Sequence, residues 1–329
     1  MLNYLDLTTT DPAWNLAVEE YIFDHLPKDR MYVMLWQNDH AIIIGKHQNT
    51  LAEINESYVK EQGIRVVRRL SGGGAVYHDM GNLNYTIIAD AQEEALDFGR
   101  FCDMVIRALS KAGVKAERNG RNDMTIDGKK FSGNAQYVRN GRIMHHGTIL
   151  FDSNMSVLAG ALQVDPAKIQ AKGVKSVRSR VTNVRPYLPK DLTLEQFRAF
   201  LLESILEEFP GEKYELTEAD IAAIAACKER RYGTWEWNFG YSPTCTVSKK
   251  QRFEGCGSVE AFIDINKGCI RGITFRGDFF AAEDAASLAE RLVGCPLEEN
   301  SLASRLANID ISRYFMGLDT GSFLQLLTG

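Results

Sequence analysis

Arg68-Arg69-Leu70-Ser71-Gly72-Gly73-Gly74-Ala75-Val76-Tyr77-His78-Asp79 sets three consecutive glycines between a basic pair and a short apolar segment. Residues 64–67, just before it, are apolar enough for a strand. Glycine has no Cβ, so it adopts positive φ readily and lets another group approach the backbone. Successive amides in such a turn form a concave anion site. Arg69 beside it carries a fork of donors matched to phosphate or carboxylate. The plain alternative is a tight turn with a solvated basic pair, since glycine punctuates many loops. The stretch is neither a Walker A loop, because no Gly-Lys-Ser/Thr follows, nor a G-x-G-x-x-G fingerprint.

Upstream, Asp11-Pro12 reads as an N-cap followed by proline at the first helical position. Trp14, Ala17, Val18, Tyr21 and Ile22 fall on one face of that helix, with Glu19 and Glu20 on a solvated face. Met31–Trp36 and Ala41–Ile44 are apolar and β-prone, and Gln37-Asn38-Asp39 between them suggests a hairpin. Trp36, at a strand end, suits a pocket wall or an ordinary core position. Residues 57–62 form a short helix stopped by Gly63. Downstream, residues 83–88 read as a strand, and Phe98, Phe101, Val105, Ala108 and Leu109 mark a helix ending at Gly113. Strands over 114–117, 124–126, 130–138 and 142–151 follow. Asp127-Gly128 and Asn140-Gly141 are hairpin turns between the last three. The expected class is α+β, with mixed and largely antiparallel sheets rather than a doubly wound one.

Regularity fails over residues 164–189, where Lys168, Lys172, Lys175, Arg178, Arg180 and Arg185 make a basic stretch. A loop this long is a functional segment or a solvated surface one. Thr193-Leu-Glu-Gln196 is a capping box opening a helix to about Phe209, and a second helix spans 218–231. The pattern then changes: strands over 252–265 and 269–275 and a helix over 284–292 indicate a small α/β unit. The expected division is 1–245 and 246–329.

The composition of the 329 residues is that of a globular chain, 45% hydrophobic and 25% charged. A net charge of −5 argues against nucleic-acid binding through bulk electrostatics. The N-terminal residues lack a basic, then apolar, signal pattern, and no apolar run approaches the ~20 residues of a membrane helix. The six cysteines are scattered with no C-x-x-C, which suits reduced thiols in the cytoplasm. His145 and His146 face opposite sides of a strand, and no Cys or carboxylate completes a zinc set.

Asn122-Asp123 precede one strand, Lys130-Phe131-Ser132-Gly133 opens the next, and His146-Gly147-Thr148 lies on the third. A lysine there binds an anion, forms a Schiff base, or is an ordinary strand residue. Together the blocks are more specific. Arg-Arg-x-Ser-Gly-Gly-Gly-Ala-Val-x-His-Asp-x-Gly-Asn-x-Asn (68–84) closely resembles the signature of lipoate–protein ligases. Gly-Arg-Asn-Asp (120–123), Lys130-x-Ser132-Gly133 and Ser-Val-Arg-Ser-Arg-Val-Thr-Asn (176–183) resemble that family's other blocks, in the same order.

The resemblance covers residues 1–245 as a catalytic domain of the biotin/lipoate ligase-like kind, with 246–329 as the accessory domain. It implies that lipoate attacks the α-phosphate of ATP to give lipoyl-adenylate, and that a lysine of an acceptor protein then takes the lipoyl group. It implies that Arg69, the backbone of Gly74, Ala75, Val76 and Tyr77, Asn122, Asp123 and Arg180 hold the nucleotide, with Asp123 a Mg²⁺ ligand. Lys130 would contact the lipoate carboxyl and the α-phosphate. Trp36, Ser71, Gly74, Val76, His78 and His146 would form the acyl slot and its rim. The basic 165–185 loop would close over the adenylate. The expected acceptors are lipoyl domains of 2-oxoacid dehydrogenase E2 subunits or the glycine-cleavage H protein, and the expected enzyme is a cytoplasmic monomer with no nucleic-acid or membrane partner. Lys130 is chosen over Lys129 because it directly precedes Phe-Ser-Gly. The competing functions are a lipoyl or octanoyl transferase working through a cysteine thioester and a non-catalytic lipoate-binding relative. Cys102, beside Phe101 on a helix, reads as core rather than nucleophile. Biotin ligation is disfavoured by Ser-Gly-Gly-Gly in place of a Gly-Arg-Gly-Arg pattern.

Overall fold

A computed structural model of the chain describes residues 2–91, 98–162, 181–240, 247–266 and 269–328. The first eleven strands are β1 (Leu2–Asp6), β2 (Met31–Trp36), β3 (Ala41–Ile44), β4 (Arg65–Arg68), β5 (Val76–His78), β6 (Asn82–Asp90), β7 (Ala116–Asn119), β8 (Asp123–Ile126), β9 (Lys129–Arg139), β10 (Arg142–Leu150) and β11 (Gly211–Lys213). They divide between two sheets. The large sheet runs β11-β1-β2-β6-β10-β9-β8-β7, parallel from β11 to β2 and antiparallel from β2 onward. The small sheet runs β4-β3-β5. The fold is α+β with mixed and largely antiparallel sheets, as expected.

Alternation along β2 sets the layers. Val33 and Leu35 face a core with Phe101, Val105 and Leu109 of the helix Phe98–Lys111 and with Phe197 and Leu201 of the helix Leu194–Glu208. Tyr32, Met34 and Trp36 face the other way, onto Val18 and Ile22 of the helix Pro12–His25 and onto Ile43 and Val67 of the small sheet. The sequence signals for these elements hold. Asp11 caps its helix with Pro12 inside it, Thr193 and Gln196 form the capping box, and Asp127-Gly128 and Asn140-Gly141 all have positive φ.

The expected hairpin of Met31–Trp36 with Ala41–Ile44 does not form. β2 belongs to the large sheet and β3 to the small one. Both are buried on both faces, so their apolar patterns suit two sheets as well as one. The connection is pinned to the first helix instead, where the Asn15 amide donates to Gln37 O at 2.9 Å and to Asn38 Oδ1 at 3.0 Å. Glu19 and Glu20 are also corrected, since both are buried. Glu20 accepts from Arg231 and from Tyr232, on a π-helical turn (Lys228–Tyr232) that extends the helix Glu218–Cys227.

The last strands, β12 (Val247–Phe253), β13 (Gly257–Asn266) and β14 (Cys269–Gly277), form an antiparallel sheet. Together with helices such as Ala285–Leu292 and Thr320–Thr328 they enclose a separate core around Val259, Phe275, Phe315 and Phe323. The single strand expected over 252–265 is thus two, broken by a turn with Gly255 and Gly257 at positive φ. The expected division at 245/246 falls within residues outside the described ones. No helix among the described residues is long and apolar enough to cross a membrane.

Candidate active site

A cavity of about 130 Å³ lies between the large sheet and the glycine turn that joins β4 to β5. Trp36, Asn84, Thr148 and Gly133 line its floor, on four adjacent strands of the large sheet. Gly74, Ala75, Val76 and His78 come from the turn and β5, and Asn122 and Lys130 stand at the far end. The slot therefore runs across the strands, from β2 to β8.

Lys130 enters the slot because β9 is bulged. Asp123 pairs with Gly133 and Met124 with Ser132, but Thr125 pairs with Lys130, so Phe131 is the extra residue. Strict alternation would put Lys130 and Gly133 on opposite faces. The bulge brings both onto the cavity, a re-aiming that bulges commonly serve. Phe131 meanwhile drops into the core. A Cβ on Gly133 would lie 2.9 Å from Lys130 Nζ, so glycine makes room for the lysine to fold over the strand. Lys130 Nζ meets Asp123 Oδ1 at 2.7 Å, with the lysine side chain 38% exposed. Lys129 does not line the cavity.

The glycine turn is built from within. Buried Arg69 donates to Ser71 Oγ, Ile43 O, Gly72 O and Gly74 O at 2.7–3.1 Å. Burial lowers its pKa to about 10, which leaves it charged. Its fork is thus spent largely on carbonyls of the turn, although part of its surface lines the cavity. Ser71 Oγ accepts from Arg69 and donates to His146 Nε2 at 2.6 Å. His146 Nδ1 donates to Glu19 Oε1 at 2.9 Å, and Thr86, which accepts from Trp36 Nε1, donates to the same oxygen at 2.5 Å. Glu19, 2% exposed, is therefore the anion that answers buried Arg69 through two intervening side chains. The same chain of bonds explains why Ser71 stands behind the cavity wall.

Of the other sequence-predicted residues, Trp36, Val76, His78, His146, Asn122 and Lys130 line the cavity together with Gly74 and Ala75. Asp123 joins them through its ion pair with Lys130. Tyr77 points away and its hydroxyl bonds His40 at 2.8 Å, as alternation on β5 requires. Arg180 and most of the basic loop lie outside the described residues. The end of that loop is placed, because Val181 bridges to Lys130 and the Thr182 amide donates to Lys130 O at 2.8 Å. The Gly73 amide donates to Phe279 O at 3.2 Å, so in this arrangement it is not free for an anion. Phe280, from the C-terminal unit, lines the cavity and packs under Arg121 at 4.4 Å. Only tertiary contact reveals Phe280. Asn84 was within reach, as the last residue of the signature block.

His145 faces the opposite core, where burial holds its pKa well below the usual value, so the two histidines do not share a site. Cys102 is buried, and its thiol is pushed up to about 12 by that burial, which removes it as a thioester nucleophile. No cluster of three or more His, Cys, Asp or Glu suited to a metal ion occurs among the described residues.

A largely apolar slot with Lys130 at its open end, floored by a sheet and roofed by a glycine turn that Arg69 braces, suits a chain-like acid. The comparisons agree. The family described as "Lipoyl protein ligase A/B catalytic domain" matches residues 11–206, and "Bacterial lipoate protein ligase C-terminus" matches residues 242–327. The lipoate–protein ligase LplJ of Bacillus subtilis is 43% identical over 321 residues, 96% of this chain and 97% of that protein. A crystal structure of a lipoate–protein ligase A bound with ATP is 27% identical, covers 74% of this chain and 100% of its own, and has a TM-score of 0.65. The structure of P. falciparum LipL1 in complex with lipoate shares the fold over 100% of this chain and 98% of its own, with a TM-score of 0.79 at 21% identity. The chain belongs to the lipoate–protein ligase family and is a ligase.

Proposed function

We propose that the slot binds lipoate with its carboxylate at Lys130, that ATP activates it there as lipoyl-AMP, and that the lipoyl group passes to a lysine of an acceptor domain. The observation that carries this is the bulge that aims Lys130 into the open end of an otherwise largely apolar slot. A carboxylate oxygen attacks the α-phosphorus, the bond to pyrophosphate breaks, and pyrophosphate leaves. The neutral amine of the acceptor lysine then attacks the acyl carbonyl, the bond to AMP breaks as the amide forms, and the proton lost from the nitrogen passes to water. Lys130 stabilises negative charge on the carboxylate and the α-phosphate in both steps. No covalent enzyme intermediate is required.

The stretch of the slot between Asn84 and Lys130, which lies over Gly133, suits the length of the substrate. From Asn84 on β6 across Thr148 to Gly133 is two strand spacings of about 4.8 Å each, or about 10 Å. A chain of about eight carbons, with bonds of about 1.5 Å each advancing it by ~1.3 Å, covers ~9 Å. Gly74, Ala75 and Val76 with Asn122, which line the same cavity, would hold the nucleotide, together with Arg180. Asp123, now paired with Lys130, would be the protein ligand for a magnesium ion brought in with ATP, and such an ion would offset negative charge on the phosphates; one carboxylate is enough for an ion that takes most of its ligands from phosphates and water. Residues 1–245 carry this chemistry, and 246–329 serve as the accessory domain. The acceptors are lipoyl domains of 2-oxoacid dehydrogenase E2 subunits or the glycine-cleavage H protein, met by a cytoplasmic monomer.

Lipoate-dependent exchange of radiolabelled pyrophosphate into ATP tests the first step. Exchange that requires lipoate is expected. Binding of lipoate without exchange would make the chain a non-catalytic relative, and acceptor lipoylation without ATP would make it a transferase.

A further inference from the structure

Tyr85 packs with Phe101 on the face of the large sheet away from the cavity, and His145 stacks on the same Phe101. Tyr85, Gly147 and Asn134 stand opposite one another on β6, β10 and β9, in one row across the strands. Gly147 leaves the middle of that row open, because a Cβ there would lie 2.1 Å from Asn134 Oδ1 and 2.7 Å from the Tyr85 ring. The Tyr85 hydroxyl therefore reaches across β10 and donates to Asn134 Oδ1. The row continues to Asn122, one residue before β8. The Asn134 backbone N–H and side-chain Nδ2 both donate to Asn122 O, at 2.9 and 3.0 Å. Asn122 Nδ2 donates in return to Asn134 O at 2.7 Å.

The Asn122 carbonyl orients every proton in this chain. A carbonyl only accepts, so Asn134 turns Nδ2 toward it and Oδ1 toward Tyr85. The Tyr85 hydroxyl spends its one proton on that oxygen, and burial raises its pKa well above the usual value, so the proton stays. His145 Nε2, 3.2 Å from the same hydroxyl, is then the donor to it. Burial keeps His145 neutral, so its Nδ1 accepts, and Gln136 Nε2 donates there at 2.8 Å. Gln136, His145, Tyr85 and Asn134 are each at most 3% exposed. The bonds run one way, from Gln136 to the Asn122 carbonyl, and bonds in such a buried chain strengthen one another.

We propose that this chain is a positioning network, which holds the loop carrying Asn122 and Asp123 in place from behind the sheet and so sets the affinity for MgATP. It rests on those two residues serving the nucleotide, as in the proposed function. Tyr85, His145 and Gln136 do not line the cavity, so they act only through Asn134 and Asn122, which do. Trp36 and Val76 of the proposed acyl slot lie on β2 and β5, outside this row, so lipoate binding does not depend on it.

The test is steady-state pyrophosphate exchange by Tyr85→Phe, which keeps the ring and removes only the hydroxyl, and by Asn134→Ala. Each should raise the KM for MgATP about tenfold, the scale of one hydrogen bond, and leave the KM for lipoate within about twofold. The double variant should match Asn134→Ala alone, because both changes break one chain. A merely structural role predicts another pattern: a lower melting temperature and less active enzyme, hence a lower apparent kcat, with both KM values unmoved. That pattern in Tyr85→Phe would overturn the inference, and so would equal rises in the two KM values. Tyr85→Phe decides the matter even if Asn134→Ala fails to fold. Asn122→Ala reports the nucleotide contact itself and should raise the same KM; no rise there would refute the placement of the nucleotide, and this inference with it. Failure of the wild type to exchange with lipoate at all would refute the proposed function as a whole.

Discussion

Lys130 and Gly133 test the site most locally. Lys130→Ala should lose at least ~100-fold in lipoate-dependent exchange, the scale of removing one group that stabilises developing negative charge. Lys129→Ala should stay near wild type, because Lys129 is not on the cavity. The reverse result would mean that the wrong lysine has been assigned. Gly133→Ala asks a subtler question. Its new Cβ would lie 2.9 Å from Lys130 Nζ and 3.1 Å from Cε, the flexible end of a side chain that can swing aside. The protein should fold normally, yet exchange should fall roughly 10- to 100-fold, as for a misplaced catalytic group. Unaltered kcat in Gly133→Ala would show that the lysine does not need to lie over the strand.

At the scale of elements, the glycine turn separates into three different demands. Gly73 has φ +91°, a conformation that suits glycine. A Cβ on Gly72 would meet Phe279 O at 2.3 Å, whereas one on Gly74 would meet nothing within 4 Å. Gly72→Val should therefore lower thermal stability, by an overpacking cost of about 1–3 kcal/mol. Gly74→Val should melt like the wild type but lose activity, because its side chain enters the slot. A melting curve and an exchange assay on each variant distinguish the two, and equal stability loss in both would contradict the geometry. The sequence made the glycine run visible but not these separate reasons, which depend on Phe279, more than 200 residues away. The capped helices and the two hairpin turns were legible because local chemistry determines them. The supposed hairpin of β2 and β3 was not, since doubly buried strands carry no mark of which sheet they join. Glu19 was misjudged for a similar reason: its partners, His146 and Thr86, lie on distant strands.

Across the whole molecule, three buried histidines couple stability to pH. His47, stacked on Phe279, has its pKa lowered by burial to about 3, as does His78, and His145 lies well below the usual value. Folded, they stay neutral, while the unfolded chain protonates them near pH 6.5. The unfolded state thus binds more protons, so the stability is fully present above about pH 6.5 and is lost as pH falls toward 3. Urea unfolding between pH 7 and 4.5 should show the decline, with a limiting slope of about 1.4 kcal/mol per pH unit for each histidine. A flat profile would contradict the burial of these rings.

The most direct measurement of the central claim is to incubate the intact enzyme with lipoate and MgATP, isolate it rapidly, and analyse what it carries. The expected result is lipoyl-AMP bound to the wild-type chain, consumed when an unlipoylated lipoyl domain is added and absent from Lys130→Ala. A wild-type chain that holds lipoate and ATP side by side without joining them, or that lipoylates the domain with no adenylate formed, would contradict it.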